Sequence, residues 1–88
     1  MKVRNMESNN GTTVPNQFII ETKNFFYFQS YNTIIAKENR KTHELTLDRD
    51  KWDYSRTTAK YRNIFTGLTT KETEAKIKDK TIKLANLN

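Results

Sequence analysis

The sequence has no cysteine, and its 88 residues include only two glycines, one proline and one histidine. Without cysteine there is no disulfide, and no thiolate that binds a metal or attacks a substrate. Two isolated glycines do not form a glycine-rich phosphate loop. No apolar run approaches the roughly 18 residues of a membrane span, and the N-terminus lacks the apolar core of a signal peptide. We therefore expect a small intracellular protein with no membrane partner.

Side chains suited to catalysis are also scarce. His43, the only histidine, falls in a predicted turn with no evident partner to orient it as a general base. Three aspartates, Asp48, Asp50 and Asp53, lie close enough in sequence to approach a magnesium ion. However, cations are interleaved with them, and no further acid or histidine completes a ligand set. We expect no enzyme activity, catalytic residue, metal, cofactor or small-molecule substrate.

The net charge of +6 is concentrated in the C-terminal part of the chain. Residues 55–88 contain eight cations and three acids, a net charge of +5, whereas residues 17–54 are balanced. A basic half favours a polyanion or an acidic protein surface as partner. A lysine-rich surface that only keeps the protein soluble has the same composition.

Three segments of the chain read as strands. Residues 1–16 are polar and have little to bury, which predicts a flexible N-terminal arm. From residue 17 the pattern predicts a single small α+β domain, residues 17–88. Residues 17–22, 25–37 (with a bend or bulge near 30–32) and 44–48 alternate or are rich in aromatic and β-branched side chains. They predict a three-stranded antiparallel β-meander.

The hydrophobic period then changes to that of a helix. An apolar stripe at i, i+3, i+4 and i+7 is formed by Tyr61, Ile64, Phe65 and Leu68. Asp53 or Ser55 could cap the start of this helix, and Gly67 could end it. The Thr69-x-x-Glu72 pattern predicts a capping box for a second, short helix. The expected architecture is the meander packed on one main helix with a short C-terminal helical segment, and residues 79–88 fit either a helix or an extended tail.

Cations on the main helix form the first candidate binding surface. With the stripe facing the sheet, Arg56 and Lys60 lie on the opposite face and Arg62 flanks the stripe. A helix start with Arg56 beside it could hold a phosphate, or it could be only a capped helix. The other basic candidates for partner or nucleic-acid binding are Lys76, Lys78, Lys80 and Lys83.

The aromatic run at residues 25–31 is the second candidate surface. A one-sided sheet buries alternate residues. If Phe26 and Phe28 face the helix, then Phe25, Tyr27 and Tyr31 face outward, or the reverse. Outward Tyr27 and Tyr31 could stack bases or anchor a protein interface, whereas inward ones would only fill the core.

Several motifs within residues 17–88 are distinctive as a set. They are QFIIET (17–22), YFQSYNTIIA (27–36), LDR (47–49), WDYSRTTAKYR (52–62), TKETE (70–74) and KLANL (83–87). Together they resemble a small domain of unassigned function that is common on phages, plasmids and conjugative elements of Gram-positive bacteria. The resemblance carries over no catalytic residue. Small non-enzymatic proteins of such elements are often anti-defence factors.

The resemblance therefore implies an anti-CRISPR inhibitor in the cytoplasm of the bacterial host. It would bind stoichiometrically to the RNA-guided DNA nuclease (a CRISPR-associated nuclease) or to its guide RNA. Inhibitors that mimic DNA are acidic, so a basic protein would instead hold guide RNA or DNA, or grip an acidic patch of the nuclease. The alternative is an accessory nucleic-acid-binding protein of a phage or conjugative element, since a three-stranded sheet can lie in a DNA groove. A third interpretation is a structural or regulatory protein that binds only other proteins.

Overall fold

The computed structural model describes residues 1–8 and 10–88, and within them it contains six strands and two helices. The elements are β1 (Lys2–Glu7), β2 (Thr13–Glu21), β3 (Phe25–Ser30), β4 (Thr33–Asn39), β5 (Leu45–Asp48), α1 (Arg56–Thr66), α2 (Thr70–Lys78) and β6 (Lys83–Ala85). No helix in the described part of the chain is long and apolar enough to cross a membrane.

The six strands form one mixed sheet in the order β1-β2-β3-β4-β5-β6. Neighbouring strands from β1 to β5 are antiparallel, and β6 is parallel to β5. A parallel pair needs a crossover connection. The crossover here contains both helices, so α1 and α2 are carried onto one side of the sheet.

The expected three-stranded meander on one main helix is wrong, although the broad α+β class is confirmed. Residues 1–16, expected to be a flexible arm, contain β1 and the first residues of β2. Asn9, which belongs to that arm, lies outside the described residues. Because β1 is polar apart from Val3 and the buried Met6, composition did not indicate a strand. Its pairing with β2 uses backbone groups, which every sequence has.

Two further strands come from segments that local pattern misread. The expected bend near residues 30–32 is a two-residue turn at Tyr31 and Asn32 that separates β3 from β4. Residues 83–85, within the segment left open as helix or tail, form β6 beside β5. The β3–β4 pair forms across a tight turn, and β6 pairs with a strand far away in the sequence. Hydrophobic periodicity within one segment does not indicate either pairing.

The register gives the sheet two different faces, because residues directly opposite one another on paired strands share a face. One row crosses all six strands on the helix side: Arg4, Ile19, Phe28, Ala36, Leu47 and Leu84. The adjacent row points the other way: Val3, Ile20, Tyr27, Lys37, Thr46 and Lys83. The core lies on the helix side, where Phe28 is fully buried and its ring stacks against Phe65 with centroids 6.0 Å apart.

The start and end of α1 and the start of α2 agree with the local signals. Ser55 is the N-cap of α1, and its side chain accepts a hydrogen bond from Thr58 N at 3.1 Å. Gly67 ends α1 in the left-handed conformation with φ 76°, which glycine adopts at little cost. The capping box between Thr69 and Glu72 is present at the start of α2.

The buried stripe of α1 is rotated from the expected one. Tyr61 is buried and Phe65 packs against the core, but Ile64 is 47% exposed. The fully buried positions are Thr58 and Arg62, two polar residues. An apolar stripe cannot indicate buried polar side chains, whose burial depends on hydrogen-bond partners from other elements.

Candidate binding site

Arg62, expected to contact a partner, is instead fully buried. Its Nη1 donates to Trp52 O at 2.6 Å and to Asp53 Oδ1 at 3.3 Å, and its Nη2 donates to Asn63 Oδ1 at 3.0 Å and to Thr70 Oγ1 at 2.8 Å. The guanidinium also lies over the Trp52 ring, 5.1 Å from its centre. Arg62 therefore ties the loop before α1 to the start of α2 and does not contribute to a binding surface.

The other predicted cations do not gather on one surface. Arg56 and Lys60 are exposed one turn apart on α1, as expected. Lys76 is half-buried beside a hollow between α2 and the link preceding β5. Lys83 lies on the opposite side of the sheet, where its Nζ is 3.4 Å from Glu44 Oε2. Lys78 and Lys80 are exposed at the end of α2 and in the link to β6. The basic C-terminal half is thus divided between the two layers of the protein.

The face of the sheet away from the helices, here called the open face, is covered by neither helix. It is centred on the row Val3, Ile20, Tyr27, Lys37, Thr46 and Lys83, and it also includes Phe18, Phe25 and Ile34. Most of its apolar and aromatic side chains lie on β1–β3, whereas its lysines lie on β4 and β6. The open face is therefore amphipathic across its width.

An aromatic patch, formed by Phe25 and Tyr27, extends from the central row of the open face to the beginning of β3. Phe25 and Tyr27 have ring centroids 5.9 Å apart, and both side chains are half-buried. Lys37 is directly opposite Tyr27 on β4, and its Nζ lies 4.7 Å from the centre of the Phe25 ring. Side chains alternate between the two faces along β3, and Phe28 is in the core. Of the two orientations considered for the aromatic run, the structure therefore has the one in which Phe25 and Tyr27 face outward.

A cationic hollow of about 300 Å³ adjoins the patch at the end of the sheet where Phe25 lies. It lies between the β2–β3 turn and the beginning of the β4–β5 link, and Arg40 N donates to Asn24 O across it at 2.9 Å. It is lined by Lys23, Asn24, Phe25, Asn39, Arg40 and Lys41, with no acidic side chain among the described residues. Arg40 is held by Glu21 at 3.2 Å, whereas Lys23 and Lys41 are exposed. These two lysines are therefore placed to meet an anion.

Sequence reasoning missed this hollow because residues 17–54 are balanced in charge. The sheet register separates the charges: Glu21 and Glu38 are both directly opposite Phe26, which packs against the core. The side chains of Glu21 and Glu38 therefore project from the helix side of the sheet. The side chain of Lys37 projects from the open face, where Lys37 is directly opposite Tyr27. A signal was present in the adjacent Lys37 and Glu38 of β4, which alternation places on opposite faces, but the register was needed to tell which face each one occupies.

Tyr31 lies at the other end of β3, in the β3–β4 turn. Its side chain is 52% exposed, and its backbone has φ 57°, a left-handed conformation that suits glycine or asparagine better than tyrosine. Tyr31 N donates to Asn16 O at 2.6 Å, and Gln29 Nε2 donates to Tyr31 O at 2.7 Å. The turn therefore holds an exposed ring at a conformational cost of roughly 1 kcal/mol.

Asp48, considered as a magnesium ligand, is engaged in holding the end of the chain. Its carboxylate accepts hydrogen bonds from Leu87 N at 2.9 Å, Asn88 Nδ2 at 3.1 Å, Lys51 N at 3.0 Å and Asp50 N at 3.3 Å. Burial by itself would raise the pKa of Asp48, but the hydrogen bonds outweigh it and hold the pKa below its ordinary value. Among residues 1–8 and 10–88, no three acids or histidines come together to hold a metal ion.

His43, for which the sequence showed no orienting partner, contacts Glu38. Its Nδ1 lies 2.9 Å from Glu38 Oε2, and the His43 side chain is 75% exposed. The residue is in the β4–β5 link with a left-handed φ of 63°. The contact joins the link to the end of β4.

Comparison with known proteins identifies the family of the chain. No curated protein and no solved structure matches it. One family model, "Family of unknown function (DUF8033)", matches residues 1–83. The match includes β1 and the start of β2, whereas the motif resemblance covered only residues 17–88, because the polar first strand carries no distinctive motif. The chain therefore belongs to the family of unknown function DUF8033.

Proposed function

We propose that this protein acts by stoichiometric binding, as an anti-CRISPR inhibitor encoded by a mobile genetic element, and that the open face is its binding surface. The main support is that one face of the sheet is packed under two helices while the other carries half-buried aromatic rings and the exposed Val3. Contiguous apolar surface on a small protein commonly marks an interaction site. Aromatic residues in such a surface are the usual anchors of an interface.

The charge of the protein limits how it would inhibit an RNA-guided nuclease. A net charge of +6 is opposite to that of a DNA mimic, which must be acidic to occupy a basic channel. Lys37 contacts the aromatic patch, and Lys23 and Lys41 line the hollow beside it. Such a surface suits the guide RNA, an exposed DNA strand or an acidic patch of the nuclease.

An accessory nucleic-acid-binding protein of the same element is the second candidate. The initial reason for it, a three-stranded sheet in a DNA groove, no longer applies. A sheet of six strands spaced about 4.8 Å apart is roughly 24 Å wide, which exceeds the roughly 12 Å width of the major groove. The close association of Lys37 with Phe25 and Tyr27 supports this candidate instead, because base stacking beside a cation is a common mode of nucleic-acid binding.

Titration of the protein into purified complexes of RNA-guided nucleases with their guides tests the proposal. We expect target cleavage to fall linearly and to stop at an equimolar ratio for the susceptible nuclease. Tyr27→Ala should abolish inhibition. Tyr54→Ala is the matched control, because Tyr54 is a tyrosine 46% exposed in the loop before α1.

Two results would count against the proposal. The first is full cleavage at excess protein in every nuclease type of Gram-positive hosts. The second is inhibition that Tyr27→Ala and Tyr54→Ala reduce equally, which would place the binding surface outside the open face. A pull-down from a host with an active CRISPR system, read for protein and RNA, identifies the partner.

A further inference from the structure

We infer that the open face binds single-stranded nucleic acid, with bases on the aromatic patch and phosphates beside the lysines that border it. This inference rests on the proposed use of the open face as the binding surface. It names the chemistry of the ligand, which is the same for a guide RNA, a displaced DNA strand or a transcript of the element. The supporting features are the distribution of charge, the position of the rings and the width of the sheet.

Lysines outnumber acids on and beside the open face. Lys37 and Lys83 belong to its central row, and Lys23 and Lys41 border it at the Phe25 end. Two acids belong to this side: Glu44 is paired with Lys83, and the carboxylate of the buried Asp48 already accepts four hydrogen bonds. Because Glu21 and Glu38 start from the helix side, they leave the patch free of carboxylates. A polyanion therefore meets complementary charge on this side of the sheet.

The rings are arranged as a platform rather than as a closed cluster. Tyr27 is flanked across the sheet by Ile20 and Lys37, and along its own strand by Phe25. Phe18 faces the same way on β2 and is a diagonal neighbour of Tyr27, at a Cα separation of roughly 7–8 Å. Two or three bases could therefore stack on adjacent positions, as on other sheets that bind single strands.

Lys37 favours a nucleic acid over a protein as the occupant. Lysine is depleted from the cores of protein–protein interfaces, because a buried ammonium loses its hydration. Here Lys37 lies in the middle of the face, directly between the apolar half and Thr46. Beside a stacked base its Nζ could reach a phosphate while remaining in water.

The ligand must be single-stranded because the platform needs open base faces. In a duplex the base faces are stacked on one another, and a sheet roughly 24 Å wide does not enter the major groove. Tyr31 adds a further exposed ring in the turn at the far end of β3, where its backbone is left-handed. Strained backbone of this kind occurs at many functional sites, so Tyr31 is included in the proposed surface.

Fluorescence anisotropy with labelled oligo-U and oligo-dT of about 12 nucleotides tests the inference directly. We expect Tyr27→Ala to weaken binding roughly tenfold or more, as stacking losses do. Tyr27→Phe, which keeps the ring, should bind like the wild type. Lys37→Gln should weaken binding and reduce the salt slope by about 0.7. Arg56→Gln removes an exposed charge from α1 and is the matched control, with no loss expected.

The result that overturns the inference is the absence of oligonucleotide binding at a salt concentration of about 50 mM by folded protein. Equal losses from Lys37→Gln and Arg56→Gln also overturn it, because they indicate attraction by net charge alone. The inference is also wrong if unlabelled duplex displaces the labelled oligonucleotide as effectively as unlabelled single strands do.

The two proposals fail separately. If nuclease inhibition depends on Tyr27 but no oligonucleotide binds, the open face is a protein interface and only this inference is wrong. If oligonucleotides bind with the expected variant pattern but no nuclease is inhibited, the inference holds and the anti-CRISPR proposal is wrong.

Discussion

Lys37 and Tyr27 lie directly opposite each other on neighbouring strands, at the boundary between the aromatic and the polar halves of the open face. The ammonium of Lys37 leans over the Phe25 ring at 4.7 Å rather than toward a carboxylate. The pairing joins a cation and two rings from parts of the chain that a turn separates. This arrangement makes the open face a more specific candidate site than the exposed cations of α1.

The two basic surfaces can be compared by charge reversal. Lys23→Glu with Lys41→Glu changes the hollow beside Phe25, and Arg56→Glu with Lys60→Glu changes α1 by the same total charge. We expect the first pair to weaken binding and to flatten its salt dependence by about 0.7–0.9 per lost phosphate contact. The second pair should have a smaller effect. If the α1 pair loses more binding affinity in the same titration, the binding site lies on the helical layer and not on the open face.

Tyr31→Asn should make the protein more stable. Asparagine tolerates the left-handed φ of 57° better than tyrosine, so we expect a gain of roughly 0.5–1 kcal/mol in the free energy of unfolding. Urea denaturation measures it, and Tyr54→Asn, whose backbone φ is not positive, should give no such gain. Loss of binding by the more stable Tyr31→Asn variant would indicate that the ring is retained for function. A destabilised Tyr31→Asn variant contradicts the expectation.

Arg62→Ala should destabilise the protein by roughly 3–5 kcal/mol, because it leaves buried partners of the guanidinium without donors. Arg62→Lys should rescue little, since one ammonium cannot reach Trp52 O, Asn63 and Thr70 together. Arg56→Ala, on the exposed side of α1, should stay within about 0.5 kcal/mol. Thermal unfolding measures all three variants. An unchanged melting temperature for Arg62→Ala would show that the network is not needed for stability.

Phe65→Ala and Ile64→Ala test the orientation of α1 with adjacent residues. Phe65 stacks on the buried Phe28, so its loss should cost roughly 2–4 kcal/mol. Ile64 is 47% exposed at the rim of a groove beside β1, and its loss should cost under about 1 kcal/mol. Denaturant titration gives both values. The reverse order would mean that α1 is turned so that Ile64 faces the core.

Asp48 should contribute stability that depends on pH. Its folded-state pKa is lowered, so the contribution is fully present above the ordinary value of 3.8 and is lost as the pH falls through the folded pKa. Asp48→Asn should therefore be less stable than the wild type at neutral pH, with the difference shrinking below pH 3.8. Asp50→Asn, an exposed neighbour, is the control for loss of charge. A difference between wild type and Asp48→Asn that is constant with pH contradicts this role.

The fold illustrates which signals are local. The sequence predicts Gly67 and the Thr69–Glu72 capping box, and the structure confirms both; of the two candidate caps of α1, Asp53 and Ser55, it selects Ser55. Each is a hydrogen bond or a backbone preference within a few residues of the chain, so no distant partner is needed. The aromatic run was correctly recognised as a strand with one exposed face, but which face was exposed stayed undecided until the position of α1 was known.

Local sequence signals were sufficient for the α+β class, the end of α1, the capping box of α2, the basic net charge and the choice of Tyr27 and Tyr31 as candidates for an outer surface. Contacts between distant parts of the chain were needed to establish that β1 and β6 complete a six-stranded sheet, that Arg62 is buried, and that Lys23, Lys37 and Lys41 border the aromatic patch. The physical reason is the range of the interactions. Caps and helix periods are set by neighbours in sequence, whereas strand pairing and buried polar contacts are set by groups far apart in the chain, whose register assigns each charge to one face or the other.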